Sequence, residues 1–280
     1  MNKLRVSVTE LDNWQKCRLR HHYRYHERIQ PTGAYADDNI ALAVGSAVGL
    51  ALEYSATGAS KGECEKVGHR YLAGRDSALT RYYTCLAKLP DWLWELENPV
   101  AEDKLEVFYP YRERWGGWGI TVVGLPDMWY VEKDEDGTPL GVRILEFKTC
   151  ADSKSKTASK LLNYQRWGRQ PIRYATLLYD TYEWLRDLPF YRQHILVSSN
   201  GKGYYYEGAA MRVPQRVIES ERAEMLDLAY QSRHESRGDE QATFSPLCGW
   251  CDYEELCTLR LMGADITGVK EAKYEEIVKR

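Results

Sequence analysis

Asp127, Glu146 and Lys148 are the residues of this chain whose types and spacing most directly suggest chemistry. The dipeptide Asp136-Gly137 is a strong hairpin-turn signal. The runs on either side of it, Asp127–Val131 and Val142–Lys148, are rich in strand-forming residues. A turn that closes this hairpin symmetrically sets Asp127 opposite Glu146, with Cβ atoms roughly 4.5–5.5 Å apart. Two carboxylates at that separation can grip one hard cation, and oxygen ligands of this kind suit Mg²⁺ or Mn²⁺. Lys148 lies two residues after Glu146 and so points to the same face. There its ammonium can orient a metal-activated water or stabilise charge building on a phosphate. An ordinary cross-strand ion pair on a surface hairpin would also place a glutamate and a lysine in this way. Against that reading, Ile144, Leu145 and Phe147 surround Glu146 with apolar side chains, and a buried carboxylate needs a reason.

A second set is built on sulfur. Cys248, Cys251 and Cys257 form a C-x2-C-x5-C knot, Cys17 stands far upstream, and Cys64, Cys85 and Cys150 are scattered singly. Seven is an odd number, which argues against a closed disulfide framework. Such a knot in a reducing compartment is more often a metal or cluster site. Sets of four thiolates hold either Zn²⁺ or iron–sulfur centres, and spacing does not choose between them. Shared by Cys17 and the knot, the centre would pin the two ends of the chain together.

The 280 residues are 44% hydrophobic and 28% charged, which excludes a disordered chain. Net charge is −3, so any nucleic-acid contact must come from a local patch. Two basic runs could provide one. Lys16, Arg18, Arg20, Arg24 and Arg28 are interleaved with His21, His22, Tyr23 and Tyr25; Lys154, Lys156, Lys160, Arg166, Arg169 and Arg173 follow the E-x-K strand. Positive grooves with aromatics suit single-stranded nucleic acid, because stacking tolerates any sequence. Trp92, Trp94, Trp115 and Trp118 read first as packing residues, with base stacking as the alternative. The longest apolar run, Ile40 to Leu52, falls short of the about 20 residues a bilayer requires. No charged-then-apolar leader opens the chain. The expectation is a soluble cytoplasmic protein with no membrane partner.

The elements that must position these residues follow from periodicity. Helices are expected over Ser7–Arg28, Asp37–Tyr54, Gly62–Lys88, Pro171–Leu185, Pro214–Arg237 and Val269–Lys279. Strands are expected over Lys104–Tyr111, Gly119–Val123, Asp127–Val131 and Val142–Lys148, with Gln193–Ser198 and Gly203–Tyr206 as edge strands. The stretch Ala151–Lys160, rich in Ser and Lys, reads as a mobile loop able to clamp a strand of nucleic acid. The expected fold is α/β (α+β), one domain with a central mixed sheet flanked by helices. It comprises a helical part over residues 1–100, a core over 101–210, and a C-terminal helix with the cysteine knot over 211–280.

Several motifs in order carry a family resemblance. Gly124-Leu125-Pro126-Asp127, Leu145-Glu146-Phe147-Lys148-Thr149 and Gln170-Pro171-Ile172-Arg173-Tyr174 resemble the G-x-x-D, (D/E)-x-K-T and Q-x-x-x-Y motifs of the PD-(D/E)XK nuclease superfamily, in its RecB-like branch. With Cys17, Cys248, Cys251 and Cys257 added, the chain is similar to the iron–sulfur subgroup. That subgroup includes the AddB nuclease domain, the CRISPR-associated Cas-four-like exonucleases and phage relatives. The resemblance implies a restriction-endonuclease-like core and a Mg²⁺- or Mn²⁺-dependent DNA exonuclease acting on single strands or ends. It also implies a 4Fe–4S cluster on the four cysteines, with Zn²⁺ as the alternative. Gln170 and Tyr174, four apart on one helix face, would contact DNA or orient the metal-bound water. A homo-oligomer, or a recombination or CRISPR partner protein, is left open. The family's G-x-x-x-H motif departs here to Gly45-Ser46-Ala47-Val48-Gly49. That leaves the metal short of a ligand, and Glu53, one turn later, is the natural substitute. The same departure raises a second reading, a weakly active or non-cleaving DNA-end-binding adaptor.

Overall fold

The computed structural model describes residues 3–32, 40–110, 119–150, 153–200, 203–234, 248 and 251–277. Trp115, Trp118 and the first two residues of the Ala151–Lys160 stretch lie outside the described residues. The chain divides into two compact units, one of residues 40–107 and 122–223, the other of residues 1–39, 108–121 and 224–280.

The larger unit is built on a mixed sheet. Its strands are β3 (Val100–Ala101), β6 (Met128–Lys133), β7 (Pro139–Cys150), β8 (Phe190–Ser198), β9 (Tyr204–Glu207) and β10 (Met211–Val213). The order is β10-β8-β7-β6-β3, with β9 also paired to β8, so β8, expected at an edge, lies inside the sheet because its long buried run pairs on both sides. All pairings are antiparallel except β7 with β8. The turn between β6 and β7 is the expected one. Gly137 has φ 80°, and Asp134 Oδ1 accepts the N–H groups of Asp136 and Thr138 at 3.0 and 2.8 Å. A register shift between Glu132 and Lys133 absorbs one residue next to this turn, and beyond it Met128 pairs with Leu145.

Alternation along β7 and β8 divides their side chains between two faces. On one face the small apolar residues of α3 (Ile40–Ser55), namely Ala43, Val44, Ala47, Val48, Ala51 and Leu52, pack with Met128, Leu145, Ile195 and Val197. Gly45 permits the close approach, since a Cβ there would lie 2.5 Å from Thr149 Oγ1. The expected Gly62–Lys88 helix is two helices, α4 (Lys61–Tyr71) and α5 (Asp76–Leu86). Gly74, at φ 84°, sits in the break, in the left-handed conformation that ends helices. Beside the other residues of β8 lie α6 (Lys154–Trp167) and α7 (Gln170–Thr181), held by Arg192, which donates to the carbonyls of Gly168 and Gln165 at 2.7 Å each. Residues 154–160, expected as a mobile loop, are therefore helical. No Gly or Pro interrupts them, and Thr157 and Leu161 make a buried stripe four apart.

The smaller unit carries the chain ends. Helix α1 (Val8–Lys16) is capped by Ser7, whose Oγ accepts from Glu10 N–H at 3.0 Å. The expected continuous helix breaks at Cys17, which is extended (φ −162°). A short α2 (Arg18–His21) and a π-helical turn, His22–His26, follow. A three-stranded sheet, with residues 105–107 and 122–124 counted in the larger unit, has the order β1-β5-β4, from Lys3–Ser7, Gly119–Gly124 and Leu105–Tyr109. Part of the expected tail helix is a strand: β11 (Tyr274–Glu276) pairs antiparallel with β2 (Ile29–Pro31). Helix α8 (Gln215–His234) links the units in sequence, and α9 (Glu254–Leu261) and α10 (Thr267–Lys273) complete the fold. Among the described residues no helix is long and apolar enough to cross a membrane.

Candidate active site

The register brings the expected residues of the hairpin together. Met128 pairs with Leu145, so the ladder carried one residue further sets Asp127 opposite Glu146. The Phe147 N–H donates to Asp127 Oδ2 at 2.8 Å, which fixes the aspartate against the neighbouring strand. Glu146 is only 2% exposed and forms an ion pair with Lys148. On the far side of β7, parallel pairing places His194 level with Glu146.

Burial and charge act together here. Burial raises the Asp127 carboxyl above its usual range, opposed by Lys148 and the Phe147 N–H, and the charge of Glu102 raises it further. Burial would lower the Lys148 ammonium, but Glu146 and Asp127 together push it above its ordinary value. Lys148 is therefore a fixed cation between two acids. His194 is pushed down to about 4, first by burial and then by the charges of Arg192 and Lys148. It is a neutral ring stacked on Tyr164, with centroids 6.1 Å apart. Sequence reasoning missed both His194 and Glu102.

Helix α7 brings Tyr174 to the same region. Tyr174 is 5% exposed, and a Cβ on Gly124 would stand 3.2 Å from its ring and 2.6 Å from Leu177 Cδ1. Gly124 thus lets α7 close onto the segment that leads to Asp127. Gln170 opens this helix, half-buried, one turn before Tyr174. Glu53 lines a cavity of about 340 Å³ with Leu50, Tyr54, Val67 and Val100 of β3, and its charge raises the Glu102 carboxyl.

The basic runs fare differently. Arg173, expected among nucleic-acid contacts, is fully buried and donates to Glu221 Oε1 at 2.8 Å. Arg169 lies 3.7 Å from the other oxygen of Glu221. Lys154, Lys156, Lys160 and Arg166 remain exposed on α6. In the N-terminal run, Lys16 pairs with Asp12 at 3.3 Å, Arg18 lies over Trp14, Arg20 is 3.9 Å from Asp252, and Arg28 donates to the Ile277 carbonyl.

In the smaller unit, Cys17, Cys251 and Cys257 pack against Leu19, Tyr23, Tyr253 and Leu256. The Cys257 thiol is pushed up to about 12 by burial and then by Cys251, Cys17 and Cys248, so the four sulfurs are electrostatic neighbours. Four cysteine sulfurs, once deprotonated, are the donor set of a zinc or iron–sulfur centre. None of the seven cysteines forms a disulfide; Cys64 and Cys85 are buried, and Cys150 is partly so. The Asp127–Glu146 pair likewise has the oxygen donors of a Mg²⁺ or Mn²⁺ site. Among the described residues, no three or more His, Cys, Asp or Glu side chains stand at metal-holding geometry, in either place.

No curated protein matches the chain. The PD-(D/E)XK nuclease superfamily matches it over residues 5–258. That span holds Asp127, Glu146 and Lys148 in their paired strands, and the mixed sheet flanked by helices is the architecture this fold requires. On that match the chain belongs to the PD-(D/E)XK nuclease superfamily.

Proposed function

We propose that the protein is a Mg²⁺- or Mn²⁺-dependent deoxyribonuclease working as an exonuclease on single strands or DNA ends. The observation that carries the reading is Glu146, a 2%-exposed carboxylate set opposite Asp127 and paired with Lys148. Burying such a group is costly unless its charge is used. Asp127 and Glu146 would hold the divalent cation, which supplies Lewis-acid stabilisation and an activated water. Lys148, kept protonated by its two acids, offers a fixed positive charge where negative charge develops on the phosphate. Tyr174 and Gln170 on α7 would orient the strand or the attacking water. Lys154, Lys156, Lys160 and Arg166, exposed on α6, would supply the salt-sensitive backbone contact. Cys17, Cys248, Cys251 and Cys257 would carry a 4Fe–4S cluster, or Zn²⁺, as a structural centre.

Gly49 favours a second reading. A Cβ there would meet nothing within 4 Å, so no side chain fills the place of the family's histidine. A DNA-end-binding adaptor with weakened or no cleavage would retain the fold in this form. Single strands labelled at either end, incubated with Mn²⁺ and with chelator, separate the two readings. The nuclease reading expects shortening from one end only, abolished by chelator. Retained DNA binding without any shortening would support the adaptor instead.

A further inference from the structure

The ladder that sets Asp127 opposite Glu146 has a counterpart on its other side. Strand β3 pairs antiparallel with β6, Val100 with Trp129 and Ala101 with Met128. One residue further, Glu102 follows the end of β3 and Asp127 precedes the start of β6, so the two adjoin the same end of the ladder. Glu102 and Asp127 thus flank the same end of the β3–β6 ladder, and Asp127 also flanks the Met128–Leu145 pair that leads to Glu146. Their coupling is visible in the charges: Glu102 raises Asp127, and Glu53 raises Glu102.

The backbone holds Glu102 in this place at a cost. Its φ is 49°, a left-handed conformation uncommon for a residue other than glycine, Asn or Asp. The next residue anchors the turn, with Asp103 Oδ2 accepting from Tyr182 Oη at 2.8 Å and from Trp129 Nε1 at 3.3 Å. Asp103 is thus absorbed by the fold, whereas Glu102 is exposed. Residues 45, 49 and 53 of α3 form one helix face, beginning against Thr149 of β7 and ending beside Glu102. Gly49, midway along that face, contributes no side chain.

We propose that Glu102 is a positioning residue of this site, deepening the negative field in which Asp127 and Glu146 take up a divalent cation and offsetting the missing side chain at position 49. This rests on the reading of Asp127 and Glu146 as metal ligands. Mn²⁺ binding followed by electron paramagnetic resonance, without DNA, tests it on the full chain. Glu102→Gln should weaken Mn²⁺ binding about tenfold, the lower end for loss of an outer partner of a metal site, and Glu102→Asp should restore most of it. Glu102→Gly separates charge from structure. Glycine relieves the left-handed backbone, so this variant should melt no lower than wild type and still bind Mn²⁺ about tenfold more weakly. Wild-type Mn²⁺ affinity in both Glu102→Gln and Glu102→Gly would overturn the role of Glu102 alone. A wild-type chain that takes up no Mn²⁺ would overturn the metal-site reading and this inference with it.

Discussion

Removing Glu221 should damage the protein far more than a surface substitution, because Glu221 neutralises an arginine sealed in the interior. Arg173 is 0% exposed and Glu221 3%; their atoms meet at 2.8 Å, with Arg169 at 3.7 Å from the second oxygen. Glu221→Ala leaves the Arg173 charge buried between α7 and α8. Breaking a buried pair from one side costs about 3–5 kcal/mol. At about 2–4 °C per kcal/mol for a chain of this size, the melting temperature should fall by about 10 °C. The double variant Arg173→Met/Glu221→Leu should recover most of that loss, since an apolar pair of similar volume removes both charges at once. Thermal melts and urea titrations at pH 7 on the two single variants and the double variant give the cycle. If Glu221→Ala stays within about 0.5 kcal/mol of wild type, the range of ordinary surface changes, and binds DNA more tightly, Arg173 faces solvent and the reasoning fails.

His194→Gln should change how stability depends on pH. With a folded value of about 4 against an ordinary value near 6.5, the unfolded chain takes the proton first as pH falls. The contribution is complete above pH about 6.5 and lost by about 4, some 3 kcal/mol in all; equal slopes for variant and wild type in urea titrations between pH 7 and 4.5 would contradict it. Cys257→Ser, like Cys17→Ser, Cys248→Ser and Cys251→Ser, should lower bound iron or zinc and melting temperature together, because metal-binding energy is also folding energy. Cys64→Ser should leave metal content unchanged, and identical metal content in all five would refute a shared centre. Gly124→Ala should cost about 1–3 kcal/mol in urea titration through overpacking against Leu177 and Tyr174, and an unchanged midpoint would show that α7 can retreat.

The hairpin was legible because its information is local. Asp136-Gly137 names the turn, and alternation then fixes which residue faces which, so the Asp127–Glu146 opposition follows even though the register slips at Glu132 and Lys133. The slip lies beside the turn and is absorbed before the site. Glu102 was not legible, since β3 is two residues long and its pairing partner lies beyond two further strands. His194 depends on a parallel pairing that no turn announces. Arg173 read as a solvent-facing cation because its partner stands 48 residues later. Tyr274–Glu276 continued a helical pattern until pairing with Ile29–Pro31 took it into a strand, an example of tertiary contact overriding local preference.

Asp127 and Glu146 are proposed here as the metal ligands of the nuclease. The direct test is the Mn²⁺-dependent cleavage rate of an end-labelled single strand by Asp127→Asn against wild type, at equal occupancy of the strand. Asparagine keeps the size of the side chain and its oxygen toward the Phe147 N–H, while removing the charge a divalent cation requires. The rate should fall by about two orders of magnitude or more, the scale on which charged transition states respond to loss of a stabilising group. Cleavage by Asp127→Asn at the wild-type rate would contradict it.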